Sequence, residues 1–139
     1  MKTTAKKFRN PRAKNDFKGR SCSIAAVGSY VPDRVLCNAD LEKLVDTTDE
    51  WIVSRTGIRE RRIAAADEYT SDLATKAALI AMERGNIKPE QIDLIIVATI
   101  TPDMPFPATA CLVQQKIGAH RAAAFDIEAA CSGFIFALE

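Results

Sequence analysis

Two short apolar runs, Leu94–Thr99 and Ala122–Ile127, bracket a segment of helical period from Thr109 to Ile117. This arrangement constrains the fold more than any other feature of the chain. Each run has strand length and is apolar without alternation, the pattern of a strand covered on both faces. Gly118 ends the helical segment, at a place where a residue free to take positive φ is favoured. Strand, helix, strand in this order reads as a crossover between parallel strands, the unit of an α/β sheet.

The rest of the chain extends the same alternation. A first strand is expected over Ser23–Tyr30, closed by Gly28 and the breaker Pro32. Asn38 reads as a helix N-cap, with Asp40 and Glu42 in the first turn and Leu41, Leu44 and Val45 on one face. Thr48 caps a second short helix through Asp49, Glu50 and Trp51 that ends before Gly57, and a strand follows at about 60–64. Thr70 or Ser71 caps the clearest helix, with Leu73, Ala77, Ile80 and Ala81 at helical spacing and Gly85 as its end. Pro102, Pro105 and Pro107 stiffen the loop after the Leu94 run. Phe134, Ile135, Phe136 and Leu138 open a further apolar segment that reaches Glu139 without a cap, so the sequence is expected to stop inside a helix.

Composition matters at two points. Hydrophobic residues form 47% of the 139 and aromatics only 6%, so the core must be packed by small aliphatic side chains. No apolar run approaches the roughly 20 residues needed to cross a bilayer, and a cytoplasmic protein that binds neither membrane nor nucleic acid is expected. The net charge of +1 conceals a basic segment, residues 1–20, whose Lys and Arg side chains face Asp16 alone. That segment reads as a solvated, disordered extension, with an organelle-targeting remnant or a contact for an acidic partner as alternatives. Residues 21–139 form the globular part, which is net acidic.

Four cysteines, Cys22, Cys37, Cys111 and Cys131, include no C-x-x-C pair, and His120 completes no zinc-ligand spacing with them. Free thiols follow, and no metal is expected. Cys131 stands out within Ala129-Ala130-Cys131-Ser132-Gly133, between an expected strand and an expected helix. At a helix start, unpaired backbone N–H groups favour thiolate over thiol and are placed to hold a developing oxyanion. The plain alternative is a small buried packing residue, which is how Cys111 reads. His120 reads as a surface residue. Trp51 and Arg55 lie four apart and share a helix face. They suit either a sandwich around a flat aromatic ring or an Arg stem lying over a half-buried Trp.

The run from Asp46 to Arg61, DTTDEWIVSRTGIRER, resembles the pattern of β-ketoacyl-acyl-carrier-protein synthase III almost residue for residue. Gly28-Ser29-Tyr30-Val31-Pro32, Asn38-Ala39-Asp40-Leu41-Glu42, Phe106-Pro107 and Ala124-Phe125-Asp126-Ile127 before Ala130-Cys131 match in order and spacing. The resemblance spans about Ile24 to Leu138. It implies the thiolase-like fold, a layered αβαβα arrangement of two similar halves, of which this sequence holds a truncated N-terminal half. It further implies that Cys131 takes an acetyl or short branched acyl group from acyl-CoA. Condensation with malonyl-acyl-carrier protein would then release carbon dioxide and start fatty-acid synthesis, in a homodimer that uses no cofactor beyond its substrates. Residue by residue, it assigns Trp51, Arg55 and Thr47 to coenzyme A and Phe106 to the acyl pocket, reached across the dimer interface.

The family also uses a His and an Asn from its second half, and neither His120 nor any Asn here lies in a suitable motif. The 139 residues alone are therefore not expected to condense substrates, and an exposed apolar sheet face is expected to favour association. The alternative is a non-catalytic remnant that binds coenzyme A, a carrier protein or another partner.

Overall fold

The computed structural model describes residues 23–139, so the basic segment 1–20 and Cys22 lie outside the described residues. The chain order is β1 (Arg34–Cys37), α1 (Asn38–Leu41), α2 (Asp49–Thr56), β2 (Glu60–Ile63), α3 (Thr70–Gly85), β3 (Leu94–Ala98), α4 (Thr109–Ile117), β4 (Ala123–Ile127) and α5 (Gly133–Leu138). β3 and β4 pair in parallel, with Leu94 opposite Ala123 and Ala98 opposite Ile127. The two runs and the helix between them thus form the expected crossover. β1 and β2 pair antiparallel in a separate two-stranded sheet, Arg34 opposite Ile63 and Cys37 opposite Glu60.

The core lies where α4 meets β3, β4 and α3. Val113, Ile117, Ala119 and Ala122 are buried there, backed by Ala74, Ala78, Met82, Ile92, Ile95 and Val97. Ile95 and Val97 point to this side, and alternation sends Leu94, Ile96 and Ala98 to the other. There α5 packs on β3 and β4, close enough that a Cβ on Gly133 would stand 3.0 Å from the Ala98 side chain. Helices thus lie on both faces of the Leu94 run, as expected, but the short α5 covers its face incompletely. Leu94 and Phe125 stay exposed on the α5 side, as do Phe134, Ile135, Phe136 and Leu138.

Three other expectations are corrected. Ser23–Tyr30 is not a strand. Its even-numbered residues from Ala26 to Pro32 are partly or fully buried while the odd ones are exposed, so it runs as an extended segment along α3, with Arg84 donating to the Val27 carbonyl at 3.0 Å. The strand in this region is β1, whose exposed Arg34 and Val35 hid any apolar pattern. Asn38 is not an N-cap. Cys37 takes that position, and Asp40 accepts from the Cys37 N–H at 3.2 Å and its thiol at 3.0 Å. α1 is a single turn, and Leu44 and Val45 are exposed rather than facing a core.

Helix α3 is capped earlier than expected, at Tyr69, while α4 begins at Thr109 as expected. Tyr69 and Ala108 occupy their N-cap positions and supply no side-chain cap bond to them. Carboxylates from elsewhere in the chain take that role. Asp103 accepts from the Ser71 N–H at 2.8 Å. Asp126 accepts from the N–H groups of Thr109 and Ala110 at 2.7 and 2.8 Å. Each charge sits at the positive end of a helix dipole while joining two elements. α3 runs through Gly85 and is closed one residue later by Asn86, at φ 49°.

Three carboxylates with lowered pKa contribute to the acid dependence expected of this fold. The Cys37 and Lys43 side chains hold Asp40 down to about 2. Glu68 is lowered by the Lys76 ammonium and Asp72 by that of Lys116. A carboxyl depressed on folding contributes its full share above its unfolded value and loses it as pH falls through its folded value. Stability is therefore expected to hold down to the ordinary values of 3.8 for Asp and 4.5 for Glu and to decline below them. Denaturation midpoints measured across that window check this, and Glu68→Gln should make the decline shallower. Among the described residues no helix is long and apolar enough to cross a membrane.

Candidate functional site

β4 ends at Ile127, and the chain turns through a short 3-10 segment, Ala130–Ser132, into α5. Ala130 is held at φ 44°, a left-handed conformation that costs a residue with a Cβ roughly 1–2 kcal/mol. The turn lifts Cys131 into solvent as an exposed free thiol. Cys131 therefore sits just before the α-helix rather than within its first turn. The Ser132 and Gly133 N–H groups are already bonded to the carbonyls of Ala129 and Ala130, so they are not free oxyanion donors as expected from the sequence. A cavity of about 410 Å³ opens beside the thiol, lined by Ala98, Thr99, Ile100, Thr101, Ala130 and Cys131.

The second group of expected residues forms around α2. Thr48 accepts from the Trp51 N–H at 3.1 Å and so caps the helix. The helix ends at Gly57, whose φ of 71° suits a residue without a Cβ. Glu42 also reaches this N-terminus and accepts from the Asp49 N–H at 2.6 Å. Asp46, Thr47, Thr48 and Trp51 line a cleft of about 210 Å³. Trp51 is 58% exposed, so it is not the half-buried ring beneath an Arg stem that the plain alternative required. Arg55 is exposed one turn further along the same helix and is not among the residues lining the cleft.

Asn38 sets the position of α2. Its side chain is 2% exposed and donates to Asp49 at 2.7 Å and to the Ile58 carbonyl at 2.9 Å, while Arg61 donates to its oxygen. This residue joins α1, α2 and β2, and sequence reasoning missed it by taking the Asn for a cap.

Phe106 is 87% exposed at the tip of the proline loop and does not line the Cys131 cavity. Cys111 is half-buried in α4, and His120 is exposed in the turn after it, as read from the sequence. A further cavity of about 490 Å³ includes Tyr30, Asp33, Arg34, Glu68 and Lys76 in its wall. Lys76 bonds Glu68 at 2.6 Å and the Tyr30 hydroxyl at 2.9 Å. Among the described residues no three His, Cys, Asp or Glu side chains cluster as metal ligands.

No family model matches the chain. Curated relatives do. The chain is 63% identical over 118 residues to the β-ketoacyl-[acyl-carrier-protein] synthase III of Clostridium acetobutylicum, covering 85% of this chain and 36% of the relative. It is 62% identical over 120 residues to the enzyme of the same name from Symbiobacterium thermophilum, covering 86% and 36%. Among solved structures, 3-oxoacyl-[acyl-carrier-protein] synthase III of Aquifex aeolicus superposes with a TM-score of 0.80 at 57% identity, over 83% of this chain and 37% of that one. The chain thus spans little more than a third of the length of these relatives. In sequence and in fold, it corresponds to the N-terminal part of β-ketoacyl-[acyl-carrier-protein] synthase III, a thiolase-like condensing enzyme.

Proposed function

We propose that this chain carries the acyl-accepting part of a β-ketoacyl-[acyl-carrier-protein] synthase III, with Cys131 as the acyl acceptor and acyl-CoA as the donor. The observation that carries the reading is the exposed Cys131 thiol beside a cavity walled by small side chains. The Cys131 sulfur attacks the thioester carbonyl, a carbon–sulfur bond forms, and coenzyme A leaves as a thiolate that takes up the proton lost from Cys131. Acylation divides one difficult transfer into two easier steps. In the second step malonyl-acyl-carrier protein loses carbon dioxide, and its α-carbon takes the acyl group and frees the thiol. The whole protein would perform that step as a homodimer, in the cytoplasm, with Phe106 shaping the acyl pocket across the interface. Residues 21–139 would form the N-terminal thiolase-like half of that protein.

The α2 cleft is suited to the adenine end of coenzyme A. The exposed Trp51 ring offers a face for stacking, Thr47 lies in the cleft wall, and Arg55 is exposed one turn further along the same helix. Stacking on an aromatic face contributes about 1–3 kcal/mol per base. Trp51→Ala is therefore expected to raise the Kd for coenzyme A about tenfold or more. Isothermal titration with coenzyme A, and with an adenosine bisphosphate as competitor, makes the comparison. An unchanged Kd removes Trp51 from the site.

A further inference from the structure

The wall of the Cys131 cavity is not held by the β3–β4 sheet alone. Thr99, Ile100 and Thr101 form that wall just beyond the end of β3, and two α3 side chains fasten the chain there. Thr70 donates to the Thr101 carbonyl at 2.7 Å. Ser71, 0% exposed, donates its hydroxyl to Asp103 at 2.6 Å, while its backbone N–H reaches the other oxygen of the same carboxylate at 2.8 Å. The Ser71 hydroxyl in turn accepts from Lys116 of α4 at 2.5 Å, and Lys116 is also paired with Asp72 at 2.6 Å. At the far end of the loop, Asp126 grips the first two N–H groups of α4.

We propose that Ser71 and Asp103 are a positioning pair that fixes the wall of the Cys131 cavity and thereby the size of the group that reaches the thiol. The claim that this group is acyl rests on the function proposed above. Asp103 lies two residues beyond Thr101, and its two bonds to a fully buried residue are charge-assisted, the stronger class of hydrogen bond. Neither residue lines the cavity, so their influence on Cys131 passes through the loop. Removing the pair loosens the Thr101 end of the wall, which then keeps only the Thr70 bond while Thr99 stays bonded to Ile127, and β4, Ala130 and the turn that presents Cys131 keep their own bonds. A bulky reagent should then gain access to the thiol where a small one gains little. A residue that merely supported the fold would raise or lower both together.

The test uses the full chain and the thiol reagents iodoacetamide and N-benzyl-iodoacetamide. Rates at Cys131 are read by peptide mass spectrometry, below the unfolding midpoint of each variant. In Asp103→Ala the bulky-to-small rate ratio is expected to rise about tenfold, with the small reagent within about twofold of wild type, as for loss of a charged hydrogen bond. In Ser71→Ala, which keeps the backbone N–H bond to Asp103, the ratio should rise less. The double variant should go no further than Asp103→Ala alone, because that change already removes both bonds to Ser71. Asp103→Asn, which keeps the side chain's size, serves if the alanine variant does not fold. An unchanged ratio, or an equal rise with both reagents, overturns the positioning pair. Alkylation requires no coenzyme A chemistry, so this result is separable from the acyl-acceptor reading, which falls if wild-type Cys131 takes no acyl group from any acyl-CoA.

Discussion

Gly28→Ala is expected to cost about 2–3 kcal/mol of stability, an overpacking penalty at the upper end of its usual range. A Cβ built on Gly28 would stand 2.1 Å from the Ala77 carbonyl oxygen and 2.5 Å from the Ala81 nitrogen. Both are backbone atoms of α3, so no side-chain rotation relieves the clash. Either the helix bends and loses ladder bonds, or the segment from Ser23 to Pro32 lifts away. Gly57→Ala provides the contrast. Nothing lies within 4 Å of its added Cβ, and the only penalty is the positive φ of 71°, about 1 kcal/mol. Urea denaturation of both variants measures the difference. Amide exchange across Ile24–Val31 shows whether the segment detaches. Equal and small effects at the two glycines would show that the segment does not pack on α3 as described.

Asn38→Ala is expected to cost about 3 kcal/mol, because a buried amide is removed from three partners that remain. Asp49 and the Ile58 carbonyl lose a donor, and the Arg61 guanidinium loses its acceptor. The consequence reaches the candidate site through α2. Asp49 opens that helix and Trp51 stands two residues on, so loosening its N-terminus loosens the Trp51 cleft. Thermal unfolding gives the stability change. Coenzyme A titration of the folded variant is expected to show weaker binding even though Asn38 does not line the cleft. Asn38→Asp keeps the acceptor for Arg61 but loses the donor to both Asp49 and Ile58 and sets a carboxylate against Asp49, so it is expected to destabilise at least as much. A loss below 1 kcal/mol in Asn38→Ala would contradict the role assigned to this residue.

The sequence made some elements plain for reasons that the structure bears out. The Leu94 and Ala122 runs and the Thr109–Ile117 helix carry their periods in apolar residues, and the core forms on them. Thr48 and Gly57 bracket α2 because both caps are local, one a side chain three residues from its donor and the other a positive φ. Caps supplied from far along the chain left no such trace. Asp103 and Asp126 cap α3 and α4 from 32 and 17 residues away, and the only hint was a lone acid inside the otherwise apolar Ala122–Ile127 run. Asn38 misled for the opposite reason: an Asn before an acidic turn has the local pattern of a cap, and nothing local reveals that it is buried among Asp49, Ile58 and Arg61. The segment Ser23–Tyr30 has strand-like residues but packs on a helix. The place of Cys131 between a strand and a helix was legible in the sequence, whereas the 3-10 turn and the left-handed Ala130 were not.

The central claim is that Cys131 accepts an acyl group from coenzyme A. The most direct measurement incubates the full chain with labelled acetyl-CoA and a short branched acyl-CoA, then locates the label by peptide mapping while free coenzyme A is quantified. The expected result is label on the Cys131 peptide, matched by an equal release of coenzyme A and absent in Cys131→Ser. Label that persists in Cys131→Ser, or that falls on Cys37 or Cys111 instead, would contradict the account.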